Sequence, residues 1–448
     1  MIIGCGAGGG TAAQFARKTD RNAKITIFEQ SEYPQYSKCG LPYVLSNIVA
    51  SSKDLVEFSQ DWFSKNNIDL SLNTTVEKID PDKQTVYAKK DGEIIEKSYD
   101  CLIVCTGGKP FVPSIKNIDV DGVFAIRTIE DLELISPFIK KGKKAVIVGA
   151  GFIGVEMADN LHEKGLDISI VESLPNILPT ILDSDMSKLI LDKIPEDISI
   201  FTNHIALKIE SKNGKINGVL IKDTSTDEEK KIDADVLINA TGVVPEIGLA
   251  KNAGCKIGGT GGIIVNNKCE TNISNIYAVG DCTEYVDFVT QQPIAVGLGS
   301  IAVRQGIAAG INAAGGEYKL PNGVLQTSTS EFFDTEIASV GPTTNSIKNF
   351  TVVSGRYSGM SLLSYFPGGK PITIKISVDE KTGKILNAQA IGDKAAQRIN
   401  TFACAILSGI NVETFRKLET AYAPPISPTL DAETLVCDIV SLKLNRKR

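Results

Sequence analysis

Cys39 stands in Tyr36-Ser37-Lys38-Cys39-Gly40-Leu41-Pro42-Tyr43, a stretch whose residue types suit a reactive sulfur. Gly40 frees the backbone, and Pro42 fits the first turn of a helix, where its missing N–H costs nothing. A sulfur at a helix entrance faces unpaired N–H groups and the positive end of the helix dipole, so the sequence predicts a favoured thiolate. Lys38, directly before it, is a further cation that would lower the thiol pKa. Position 44, where a C-x4-C dithiol would hold its second sulfur, is Val44. A redox-active Cys39 therefore works alone. The competing reading is a small buried hydrophobe.

The elements that must position this sulfur are announced by two glycine turns. Ile2-Ile3 leads into Gly4-Cys5-Gly6-Ala7-Gly8-Gly9, and a strand over 24–28 ends in Glu29. This is the strand, G-x-G-x-x-G turn and helix that bring a pyrophosphate to a helix N-terminus, with an acid placed for ribose hydroxyls. Met1 leaves a first strand of about three residues, so either the true start lies upstream or the strand is unusually short. The unit returns at Ala145-Val146-Ile147-Val148 before Gly149-Ala150-Gly151-Phe152-Ile153-Gly154, with Glu156 on the helix and Glu172 closing the next strand. Two fingerprints imply two dinucleotides. Glu172 suits a free 2′-hydroxyl, and no arginine follows it in Ser173-Leu174-Pro175-Asn176, so NADH is preferred over NADPH.

Two buried strands run into T-G, at Thr106-Gly107 and Thr241-Gly242, and bracket the second unit. Ile276-Tyr277-Ala278-Val279-Gly280 ends in Asp281, which reads as a helix N-cap or as a ligand-facing carboxylate. After about residue 318 the pattern changes to alternating strands, as in 372–378, with a hairpin turn at 379–384, a return strand at 385–391 and a helix near 396–407. The fold class is therefore α/β: two Rossmann-like dinucleotide-binding domains, one inserted in the other, plus a C-terminal α+β domain. The expected boundaries are 1–108 with 242–318, 109–241, and 319–448.

Composition narrows the partners. With 448 residues, 42% hydrophobic, 22% charged and a net charge of −6, the chain reads as a soluble multidomain protein without a nucleic-acid partner. No apolar run is long enough to span a membrane and no signal peptide is visible, so cytoplasmic residence is the default expectation. Arg446-Lys447-Arg448 reads as a frayed polar end. Nine cysteines without close spacing are not a disulfide framework, and Cys101 and Cys105 are too far apart along a strand to bridge. With only His162 and His204 and no paired C-x-x-C set, no metal site is expected.

In the order and spacing of C-G-L-P-Y, both fingerprints, T-G-G, T-G-x-x-P at 241–245, A-V-G-D and Y-A-P-P, the whole chain resembles the single-cysteine pyridine nucleotide–disulfide oxidoreductases. That group includes coenzyme A-disulfide reductases, NADH oxidases and peroxidases, and NAD(P)H sulfur reductases. The resemblance implies FAD on the first fold, held by Gly4, Gly6, Ala7, Gly9, Glu29, Lys38, Thr106, Gly107, Gly242 and Asp281. It implies NADH on the second, held by Gly149, Gly151, Ile153, Gly154, Glu156 and Glu172, with Glu156 positioning the nicotinamide. It also implies a homodimer in which Tyr422 and Tyr365 approach the other subunit's Cys39. The peroxidase-type histidine of the first turn is replaced by Ala7, which favours the coenzyme A-disulfide and sulfur reductases and a small disulfide or sulfur substrate. Arg17, Lys18 and Arg21 match a cluster that meets coenzyme A phosphates, with Lys38 as a further contact, and solvated cations at a helix end are the plain alternative. Gln35 and Ser71 depart from the serine and basic residue of that pattern. An oxidase or peroxidase using a Cys39 sulfenic acid, and an electron-carrier reductase or redox sensor ignoring Cys39, are the other readings.

Overall fold

A computed structural model describes residues 1–447; Arg448 lies outside the described residues. The first nucleotide fold is a parallel five-stranded sheet in the order Ile276–Ala278, Leu102–Val104, Ile2–Ile3, Ile25–Phe28, Ile68–Ser71. Four of its strands are short buried runs, as a sheet covered on both faces requires, while the edge strand Ile68–Ser71 is partly exposed. The central strand is only two residues, yet Ile2 pairs with Ile27 on one side and Ile103 on the other. The helix Ala7–Thr19 lies against Gly299–Ala313 with backbones almost touching. A Cβ at Gly306 would stand 2.5 Å from the Gly8 carbonyl oxygen, and one at Gly310 would stand 2.3 Å from that of Ala12. Small residues are what permit this contact.

The second fold repeats the plan: Ser199–Phe201, Asp167–Val171, Lys144–Val148, Val236–Asn239 and Val123–Ala125 form a parallel sheet. The helix Phe152–Glu163 follows its central strand. The two T-G turns sit where the chain passes between these sheets. Gly107 and Gly242 have φ of +68° and +116°, left-handed conformations that favour glycine. Directly after them, Gly108–Pro110 and Val243–Pro245 pair as a two-stranded antiparallel ribbon. Outgoing and returning chains thus run side by side.

The C-terminal part is an antiparallel five-stranded sheet in the order Ser328–Phe332, Thr335–Val340, Ile385–Gly392, Pro371–Asp379, Val352–Met360. Helices Ala395–Leu407 and Ala432–Lys447 pack on it through Phe402, Val436 and Val440. The expected hairpin turn is present, tied by Thr382, whose N–H and hydroxyl both donate to the Asp379 carboxylate. One expectation is corrected at the end of the chain. Arg446 belongs to the last helix and is not frayed. All nine cysteines are free, and Cys101 and Cys105 flank the strand Leu102–Val104 half-buried.

Candidate active site

Each glycine turn is a cradle cast in backbone. A Cβ on Gly9 would lie 1.9 Å from the Gly4 carbonyl oxygen, and one on Gly154 equally close to that of Gly149. Gly4 and Gly149, at φ of +93° and +102°, turn the chain into this contact. On the other side, a Cβ at Gly6 or Gly151 would meet nothing within 4 Å. Both helices begin without a side-chain cap or an acid in the first turn, so their N–H groups face open space. Ala7 opens one of these helices, and Ile153, partly exposed, stands in the first turn of the other. This arrangement fits two pyrophosphates.

The two strand-end acids behave alike. Glu29 accepts from the Cys5 N–H at 2.6 Å and from the Ser31 N–H at 2.9 Å. Glu172 accepts from the Ala150 N–H at 2.7 Å and from the Leu174 N–H at 2.8 Å. Each carboxylate thus binds the residue between the first two glycines and stiffens the turn beside the ribose position.

Asp281 starts no helix, which corrects the N-cap reading; the next helix begins at Gly299. It instead pairs with Arg127 at 2.5 Å. Arg127 also donates from Nε to the Gly108 carbonyl at 3.2 Å, and its backbone N–H donates to Asp131 in the capping box of helix Ile129–Ile135. Sequence reasoning missed Arg127. Its only local signal is its place before the Thr128-x-x-Asp131 capping box, because its partner lies 154 residues away. Thr106 donates to the Glu246 carbonyl at 2.5 Å, closing the entrance to the ribbon.

Cys39 sits on a single 3-10 turn, Lys38–Gly40, before the five-residue helix Leu41–Leu45, with Pro42 in its first turn as expected. The sulfur is accessible, and Val44 packs sideways into the core. The expected thiolate is corrected. Protein crowding pushes the Cys39 pKa up, Glu156 adds to the rise, and Arg127 opposes it without prevailing. A five-residue helix supplies too little field to overcome desolvation and a facing carboxylate. Lys38 does not figure among the charges acting on this sulfur; its own pKa is pushed down by crowding and then by Arg127. The charges around Lys38 are Arg127, Glu29, Asp281 and Asp131, so it belongs to the first nucleotide groove. Charges from Arg127 and Asp281 of the first groove and from Glu156 of the second fold therefore all act on Cys39.

Glu156 accepts a hydrogen bond from the Ser330 hydroxyl, while burial pushes its pKa up. Tyr365 and Tyr422 are brought together, their hydroxyls 3.3 Å apart and both exposed. Tyr365 lies in the loop after strand Val352–Met360.

Within the basic cluster, Arg17 is engaged by the fold itself. Arg17 directs its five N–H groups at the carbonyls of Asp20, Arg21, Ala23, Asn66 and Asn67, and has none left for a phosphate. Lys18 lies over the Phe15 ring at 4.4 Å, and the Arg21 side chain is exposed. Ser71, which departs from the basic pattern, has the Lys90 ammonium 3.4 Å from its hydroxyl, a cation supplied by the neighbouring hairpin. His162 pairs with Asp197, and His204 meets the Thr202 carbonyl. Among the described residues no acidic, histidine and cysteine cluster forms a metal site, and no helix is long and apolar enough to cross a membrane.

With this geometry in place, comparison with known proteins is informative. Residues 1–306 match the model of the pyridine nucleotide-disulphide oxidoreductases, and residues 327–433 match that of their dimerisation domain. A protein named NADH oxidase from Methanocaldococcus jannaschii is 39% identical over all of this chain and 99% of its own. A CoA-dependent NAD(P)H sulfur oxidoreductase from Pyrococcus abyssi is 33% identical over 96% of this chain and 95% of its own. A coenzyme A disulfide reductase from Staphylococcus haemolyticus is 30% identical over 97% and 98%. Among solved structures, an NAD-dependent persulfide reductase from A. fulgidus superposes with a TM-score of 0.95 at 32% identity, over 99% of this chain and 83% of its own.

Proposed function

The chain belongs to the pyridine nucleotide-disulphide oxidoreductase family, and from that premise we propose an FAD-dependent NAD(P)H reductase of a small disulfide or sulfur substrate, working through Cys39 alone. The observation that carries this reading is an accessible, unpartnered sulfur on which charges from both nucleotide folds act. FAD on the first cradle and NADH on the second supply the two electrons that the sulfur consumes. Gly4, Gly6, Ala7, Gly9, Glu29, Lys38, Thr106, Gly107, Gly242, Arg127 and Asp281 hold the first cofactor. Gly149, Gly151, Ile153, Gly154, Glu156 and Glu172 hold the second.

Cys39, once deprotonated, attacks one sulfur of R–S–S–R. A Cys39–S–S–R bond forms, the substrate S–S bond breaks, and one thiolate leaves. The raised thiol pKa means that reduced Cys39 rests as the thiol at neutral pH and must lose its proton before it attacks. Two electrons then cleave Cys39–S–S–R and release the second thiolate. Tyr422 of a second copy, in hydrogen-bond contact with Tyr365, donates the proton to a leaving thiolate. The C-terminal domain holds two copies together as a homodimer, which the family's dimerisation match supports. Coenzyme A disulfide and polysulfide are the substrates to compare. Lys18, Arg21 and Lys90 are the cations available to a phosphorylated thiol.

The name of the Methanocaldococcus relative favours a second reading, an NADH oxidase or peroxidase passing through a Cys39 sulfenic acid. Against it, Ala7 occupies the first turn and both histidines are engaged elsewhere. Anaerobic NADH oxidation with coenzyme A disulfide, polysulfide or peroxide, and oxygen in a separate run, decides between them. Faster turnover with either sulfur substrate, abolished by Cys39→Ser with flavin retained, is expected. Undiminished disulfide reduction in Cys39→Ser would remove the proposal.

A further inference from the structure

The helix Phe152–Glu163 is gripped from two sides by parts of the chain far away in sequence. From the C-terminal sheet, the Ser330 hydroxyl donates to Glu156, and the Phe333 N–H donates to Asp159 at 3.2 Å, one turn further along. From the segment following Cys39, the Ser46 hydroxyl donates to Asn160 at 2.6 Å. Tyr43, on the helix after Cys39, is close enough for both Ser330 and Glu156 to act on its phenol. Ser330 thus stands where the cysteine segment, the second nucleotide fold and the C-terminal sheet meet.

We propose that Ser330 is a positioning residue that holds the Glu156 carboxylate in the geometry required to receive the nicotinamide. This rests on the reading of Glu156 as the residue that positions NADH. Of the ionisable groups, Cys39 and Tyr43 from the cysteine segment feel the charge of this carboxylate, while Asp159 on its own helix and Glu331 beside Ser330 act on Tyr43. None of these is a cation. Burial favours the neutral carboxyl, and the Ser330 hydroxyl is the interaction that opposes this by stabilising the charged form. Removing the hydroxyl therefore frees the side chain to rotate and raises the pH at which it ionises. Because Ser330 lies on the first strand of the C-terminal sheet, the packing of that sheet governs a group on the nicotinamide side of the molecule.

The test uses the FAD-loaded protein and the variants Ser330→Ala, Ser330→Thr and Glu156→Gln. NAD+ dissociation constants are measured against pH by calorimetry, with steady-state NADH kinetics alongside and flavin content and melting temperature as checks of folding. Loss of one hydrogen bond to a carboxylate predicts that the pH dependence of NAD+ binding in Ser330→Ala moves up by about one unit. KM for NADH should rise by about tenfold, with a smaller change in kcat. Ser330→Thr, which keeps the hydroxyl, should restore both, and Glu156→Gln should remove the pH dependence. If Glu156→Gln alters NAD+ binding but Ser330→Ala leaves the pH profile and KM unchanged, the role of Ser330 is overturned. If Glu156→Gln binds NAD+ as the wild type does at every pH, the reading of Glu156 fails, and the proposal with it.

Discussion

At the scale of single residues, the Cys39 sulfur feels opposing fields: Glu156 discourages its charge and Arg127 encourages it. With a thiol pKa above the ordinary cysteine value, the thiolate fraction at pH 7–8 is smaller than in a free cysteine. Alkylation of reduced Cys39 should therefore accelerate only as pH rises past the usual thiol range. Glu156→Gln removes the nearest negative charge and should raise the alkylation rate at pH 8, on the order of several-fold; peptide mass spectrometry separates Cys39 from exposed Cys404. Arg17 invites a different experiment. Because its guanidinium ties the end of helix Ala7–Thr19 to residues 66 and 67, Arg17→Ala should lower stability by about 2 kcal/mol. It should leave the KM for coenzyme A disulfide nearly unchanged, and a large rise in that KM at unaltered stability would return Arg17 to the substrate.

At the scale of elements, the helix Ala432–Lys447 carries a second buried acid in its first turn. The dipole there favours a charged Glu433, but burial and the neighbouring Asp431, itself engaged by Arg398, push its pKa up to about 7. A raised native pKa means that this side chain favours the folded state fully below the unfolded value near 4.5. The contribution is lost as pH rises towards 7. Glu433→Gln should flatten that dependence and be more stable than the parent above pH 7, by about 2–3 kcal/mol in denaturant titrations. Elements of this kind also show what was legible in sequence. The glycine turns, their strands and their acids could be read because a phosphate cradle is built from neighbours in the chain. The hairpin at 379–384 and the helix after it were readable for the same reason. Arg127 with Asp281, Ser330 with Glu156, and Lys90 with Ser71 were not, because each pair is made by tertiary folding. The Cys39 thiolate was misjudged because residue spacing shows a helix entrance but not the crowding or the carboxylate that faces it.

At the scale of the whole molecule, Tyr365 and Tyr422 form one exposed pair, with Ile426 and Leu430 also exposed on the Tyr422 loop. The proposed sharing of the site between subunits makes a specific prediction for hybrids. Cys39→Ser homodimers should be inactive and Tyr422→Phe homodimers impaired. Mixed dimers of the two place both substitutions at one site and leave the other intact, so activity should recover to about half the wild-type level per dimer. Recovery is measured after unfolding and refolding the two variants together, and its absence would mean that each subunit is self-sufficient in Tyr422. A last consequence follows from the ribbon of Gly108–Pro110 and Val243–Pro245. Since departure and return are adjacent, the intervening stretch is joined covalently at a single place, as a cassette on a shared handle. Closing it costs the surrounding fold little entropy whatever its length. Exchange of that cassette for one with another coenzyme preference is thus a graft across two neighbouring peptide junctions, provided the incoming stretch keeps Arg127, Glu156 and Asn160 for Asp281, Ser330 and Ser46.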